Sequence, residues 1–124
     1  MNLKLASRLR QRIVMLCTAR KELEARLLRR RRMLRASLIE RYLGTADHKR
    51  KSPAYYLSFL RAGKRGLSYV KQHDRLRIEP RTKAWSEYYH LLADWVKLHQ
   101  QLGETWRALG QAQADEVSER AGDA

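Results

Sequence analysis

The chain has 124 residues, room for one domain with one modest core. Its 27 Lys and Arg against 13 Asp and Glu leave a formal net charge of +14, while 44% hydrophobic residues suffice for folding. One cysteine excludes an internal disulfide and a four-cysteine zinc site, and no apolar run reaches the length of a membrane span.

A compact body this basic repels itself unless a polyanion supplies counter-charge, so the first partner to expect is nucleic acid, DNA or RNA. Arginine dominates, and its planar fork takes phosphate bidentately and stacks on bases. The charge is not spread evenly. Residues 1–40 carry 12 basic and 3 acidic side chains, residues 41–83 again 12 and 3, and residues 84–124 only 3 against 7. The first two thirds therefore suit a polyanion, and the last third suits internal packing or a protein partner.

The expected organisation is one domain over residues 1–110 and a polar, flexible tail over 111–124. Residues 1–35 predict a basic helix, free of Gly and Pro and rich in Leu, Arg, Ala and Glu. Its apolar residues Leu9, Ile13, Leu16, Leu23, Leu27 and Leu34 fit a 4,3 spacing interrupted by Arg20 and Arg30. The patch Ile13–Cys17 is cut off by Arg20 and Lys21 without a cleavage site, which argues against a secretory signal. Cys17 reads as core.

Residues 36–79 predict a basic β-hairpin region. The stretch PAYYLSFLRAGKRGLSYV, from Pro53 to Val70, is rich in strand formers and has Gly63-Lys64 midway. A two-residue turn there sets Leu60 opposite Leu67 and Leu57 opposite Val70. A lone hairpin is marginal, so Ala36–Leu43 is read as a third strand rather than as the end of the first helix. Residues 44–52 form the loop. Residues 80–110 predict a second helix, with Pro80 in its first turn and Gly110 as its stop. Its stripe Trp85, Tyr88, Leu92, Trp95, His99, Leu102, Trp106, Leu109 steps 3,4 without a break. The fold class is therefore α+β, the two helices pairing as an antiparallel coiled coil with the small antiparallel sheet between them in sequence.

Two groups of cations are candidate phosphate grips. Arg26, Arg29, Arg30, Arg31, Arg32 and Arg35 fall within ten residues, at a helix end where the dipole favours cations. Lys49, Arg50 and Lys51 precede the hairpin, Arg61, Lys64 and Arg65 surround its tip, and Lys71 follows it. A basic ribbon fits a duplex major groove; alternatively Tyr55, Tyr56 and Tyr69 stack on unpaired bases. Phe59, Leu57 and Val70 read as core. The aromatic stripe of the second helix, Trp85 to Trp106 with His99 inside it, reads as packing against the first helix, a second copy or a larger protein.

No catalytic residue, metal or cofactor is expected. The acid–histidine doublets are Asp47-His48 and His73-Asp74, and the remaining carboxylates of the basic region, Glu22, Glu24, Glu40 and Glu79, are scattered rather than clustered as metal-dependent phosphodiester chemistry requires.

The segment Ser37–Tyr42 (SLIERY), the run Pro53, Tyr55, Tyr56, Leu57, Ser58 with Ala54 inserted, the pair Gly63-Lys64, the close Tyr69-Val70 and an aromatic-rich helix start at Trp85–Tyr89 together resemble a small uncharacterised prokaryotic family found near transposon genes. The resemblance spans residues 36–109. The family's cysteines between the first two motifs are absent here, where GTADHKRKS stands, so a thiol or metal role of that loop does not carry over. What the resemblance implies is context: a prokaryotic cytoplasmic or nucleoid-associated accessory of a transposase, recombinase or guided nuclease. The alternatives are an RNA-binding subunit of a ribonucleoprotein, and an adaptor or inhibitor docking through its C-terminal helix.

Overall fold

The computed structural model describes residues 3–44 and 53–123, with side chains described to residue 114. Its elements are α1 (Leu3–Leu27), β1 (Ser37–Arg41), β2 (Ala54–Arg61), β3 (Lys64–Val70) and α2 (Gln72–Asp123). The chain is α+β, with a three-stranded antiparallel sheet of order β1-β2-β3 between two helices in sequence. It divides into two compact units, residues 1–29 with 90–124, and residues 30–89.

In the first unit the core is Ala6 and Ile13 from α1 with Leu102 and Leu109 from α2; Leu9, Leu16 and Cys17 pack against it. The sheltered side of α1 runs Ala6, Leu9, Ile13, Leu16, Arg20, Leu23, Leu27, a 3,4 repeat throughout. Arg20 occupies its place half-exposed, with Nε 3.2 Å from Glu24 one turn on, so its stem covers apolar surface while its charge is matched.

The sheltered side of α2 differs from the expected stripe. Its lanes are Leu91, Trp95, Leu98, Leu102, Thr105, Leu109 and Ala112, again stepping 4,3. Trp95, Leu102 and Leu109 lie in the expected stripe. Leu92 is half-buried just beside the sheltered lanes, while two members turn outward: His99 is exposed and Trp106 is 56% exposed. Thr105 and Ala112 take the buried places instead, and the Thr105 hydroxyl donates to the Gln101 carbonyl at 2.7 Å, which permits its burial.

Three expected boundaries move. α1 ends at Leu27 rather than Arg35, because continuing it would set arginines at i,i+3 and i,i+4 through Arg26, Arg29, Arg30 and Arg32. α2 begins eight residues before Pro80, which lies inside it. The proline leaves the Leu76 carbonyl without its donor, but this turn is on the surface, with Leu76 77% exposed, so water can take the place of the lost bond. Gly110 does not stop α2, which runs on through the expected tail to Asp123. Burial of Leu109 and Ala112 on either side offsets the roughly 1 kcal/mol that a helical glycine costs.

In the second unit, Ser37–Arg41 is the expected third strand, pairing from Ser37↔Ser58 to Arg41↔Ala54. The hairpin turn lies one residue earlier than expected. Ala62 and Gly63 form it, with φ of 53° and 77°, and Arg61 pairs with Lys64. Leu60 therefore faces Arg65, Leu67 faces Ser58, Leu57 faces Ser68 and Val70 faces Tyr55. Two positive φ values make the turn that matches the strands' twist, whereas a Gly63-Lys64 turn would force lysine into that region. Alanine tolerates it poorly too. Ala62→Asn is expected to raise stability by about 0.5–1 kcal/mol, checked by chemical denaturation at constant m-value.

Candidate nucleic-acid interface

The arginine run does not sit on a helix face. After Leu27 the chain makes one loose turn, with the Leu28 amide on the Glu24 carbonyl at 2.9 Å, and then extends. Leu34 ties this segment to α2 by donating its amide to the Arg81 carbonyl at 3.1 Å. Arg31 is half-buried, and the Arg35 guanidinium lies 5.8 Å from the centre of the Trp85 ring, which in turn meets Tyr89 at 5.1 Å. Arg29, Arg30 and Arg32 point outward and form no ion pair among the described residues.

The sheet has two unlike faces, because side chains alternate along each strand. One face carries Leu38, Tyr55, Leu57, Phe59, Gly66 and Val70 and is sheltered. The Phe59 ring lies across Gly66, so close that an added Cβ would stand 2.8 Å from Cε2 and Cζ. Tyr55 is bound to the start of α2: Arg75 Nη1 donates to its hydroxyl at 2.7 Å, and the guanidinium lies 4.4 Å from its ring centre. Arg75 is oriented by Glu79, whose Oε2 accepts from Nε at 3.2 Å, and Lys83 reaches the other oxygen at 3.3 Å. Hydrogen bonds from Arg75 and then Lys83 hold the Glu79 carboxyl below its ordinary value of 4.5, and the Glu79 bond raises Arg75 further. Glu79 is thus charged at neutral pH, and its support of Arg75 fades only as pH falls below 4.5 through that lowered value.

The other face carries Ile39, Arg41, Tyr56, Leu60, Arg65, Leu67 and Tyr69 and is open, with Leu60 58%, Leu67 50% and Tyr69 62% exposed. Tyr69 meets Tyr56 edge to face at 5.7 Å and 69°, and Arg41 lies 5.7 Å from the Tyr56 ring centre on its other flank. The three tyrosines singled out in the sequence are therefore divided, Tyr56 and Tyr69 on the open face and Tyr55 held by Arg75. The sequence reading missed Arg41 and Arg75 as partners of these rings. Finding Arg41 beside Tyr56 needs the β1–β2 register, which the sequence reading did not set.

At the tip Arg61 and Lys64 pair across the sheltered face, Arg65 lies on the open one, and all three are exposed without ion pairs among the described residues; Lys71 follows β3, also exposed. Lys49, Arg50 and Lys51 lie outside the described residues. A cleft of about 170 Å³ opens between Arg35, Ser37, Ser58, Phe59, Arg65 and Trp85. It sits where β1 ends against Ser58 and leaves the last residues of β2 without a neighbour on that side.

The chain matches no family model, no curated protein and no solved structure. Among the described residues no three His, Cys, Asp or Glu side chains come together as a metal site, and no helix is long and apolar enough to cross a membrane. His73 Nε2 stands 3.6 Å from Asp74, whose other neighbour is Arg77 at 3.5 Å. Asp47 and His48 lie outside the described residues. Tyr42, just after β1, donates to Glu40 at 3.2 Å, a bond that raises its pKa above the usual 10.0.

The expected protein-docking stripe of α2 divides as well. Trp85, Tyr88, Leu92 and Trp95 are half-buried and Leu102 is buried, while His99 stacks on Trp95 at 4.8 Å and 20°. Trp106 is 56% exposed, and Val96 (44%) and Tyr89 (55%) are exposed as well.

Proposed function

We propose that this protein binds nucleic acid without catalysing a reaction, gripping phosphates through the Arg29–Arg32 segment and the hairpin tip. The observation that carries the reading is that Arg29, Arg30, Arg32, Arg61, Lys64 and Arg65 are exposed and unmatched by carboxylates among the described residues. So many unpaired cations repel one another unless an anion lies among them. The resemblance to a family found near transposon genes supports an accessory role in a mobile-element, recombination or nuclease complex. In the second reading α2 docks a larger protein or a second copy, favoured by the exposure of a tryptophan, Trp106, on this helix. The pairing of α1 with α2 as an antiparallel coiled coil belongs with this proposal, supported by the 3,4 lanes both helices carry.

Binding titrations against duplex DNA, single-stranded DNA and structured RNA at several salt concentrations test the function. Tight binding that weakens steeply with salt is expected. Weak, salt-insensitive binding to all three at moderate salt sinks it and makes the basic surface half of a protein interface.

A further inference from the structure

We infer that the open face of the sheet is a stacking platform for unpaired bases, so that the ligand is single-stranded nucleic acid; this rests on the nucleic-acid reading above. Three observations on that face converge. The first is a pair of tyrosines that nothing covers fully, Tyr69 62% exposed and set edge to face against Tyr56. A folded chain has little reason to leave large rings and Leu60 and Leu67 together on one surface unless a ligand covers them. The second is the placement of cations. From the tip, the paired rows of the face are Leu60 with Arg65, then Ser58 with Leu67, then Tyr56 with Tyr69, then Ala54 with Arg41. Arginines therefore stand at both ends of the apolar and aromatic rows, about 20 Å apart at roughly 3.4 Å per residue. The third is charge: among the described residues no carboxylate projects from this face, since Glu40 is on the opposite side of β1.

Aromatic rings flanked by arginines on a solvent-facing antiparallel sheet suit two or three bases, roughly, with the backbone phosphates at the ends. Duplex DNA hides the faces of its bases and would leave the tyrosines without partners. The cleft between Arg35, Arg65 and Trp85 lies beside the last rows of β2 and offers a further phosphate or base contact.

The test uses the full chain with fluorescently labelled oligo-dT, oligo-U and a duplex of equal length. The variants are Tyr69→Ala, Tyr69→Phe and the double variant Tyr56→Leu with Tyr69→Leu. The expected results are preference for both single strands over duplex and a loss of roughly 5- to 150-fold in single-strand affinity for Tyr69→Ala, as one stacked base is worth. Tyr69→Phe should retain binding, and duplex affinity should move little in any variant. Circular dichroism checks that the double variant folds; Tyr69, being exposed, makes the single variants independent of that question. Equal affinity for duplex and single strand, unchanged single-strand binding by Tyr69→Ala, or displacement by poly-glutamate as effective as by oligo-U would each overturn the platform. If no nucleic acid binds at all, the nucleic-acid reading itself fails. A preference between oligo-dT and oligo-U identifies the sugar.

Discussion

Replacing Arg29, Arg30 and Arg32 together by alanine is expected to flatten the salt dependence of nucleic-acid binding more than any other surface change. Each phosphate a cation neutralises contributes about 0.7 to the slope of log affinity against log salt for a single strand, and about 0.9 for duplex DNA. Losing three contacts should therefore lower the slope by roughly 2 to 2.7, on single strand or duplex respectively. The three side chains are exposed, unpaired among the described residues and carried on an extended segment, so their removal should leave the fold intact. Arg31 and Arg35 are left in place because one is half-buried and the other lies over Trp85. Titrations at four or more salt concentrations read the slope directly. A slope equal to that of the wild type would show that these arginines contact no phosphate, whatever the protein binds elsewhere.

The two lanes of α2 make opposite demands on stability. Leu102 is 4% exposed in the cluster with Ala6, Ile13 and Leu109, so Leu102→Ala should cost about 2–5 kcal/mol through lost transfer energy and the cavity left behind. Trp106 belongs to the same sequence stripe and is far larger, yet it is 56% exposed, and Trp106→Ala should cost less than about 1 kcal/mol. Denaturant unfolding of both variants distinguishes the observed lanes from the stripe of large residues. Comparable losses would mean that Trp106 is covered in solution, as a second copy would cover it, and dilution of the wild type would then lower its apparent stability. The cycle of Ile13→Ala with Leu102→Ala should show coupling of at least about 0.5 kcal/mol if the two share one cluster.

Much of the fold was legible in local patterns. Helix formers without Gly or Pro announced α1 as far as Leu27, alternation and turn residues announced the hairpin, and an apolar segment before it announced β1. The charge count placed the cations in the first two thirds of the chain. These properties depend on neighbours in sequence, so residue types and spacing suffice to read them.

What tertiary structure decided were the points where two local signals competed. Arg29–Arg35 continued a helical pattern, but repulsion among the arginines and the tie between Leu34 and Arg81 settled it as an extended segment. A Gly63-Lys64 turn and an Ala62-Gly63 turn differ by one residue, and the pairing of Arg61 with Lys64 selects the latter, which puts Leu67 opposite Ser58. The heptad stripe of α2 was visible, yet burial falls on the lane with Thr105 and Ala112 and leaves Trp106 outward. The division of the tyrosines had the same origin. All three looked alike in sequence, and only the register and the Arg75 anchor separated Tyr55 from the open pair, Tyr56 and Tyr69, because which face of a strand meets water depends on what packs across the sheet.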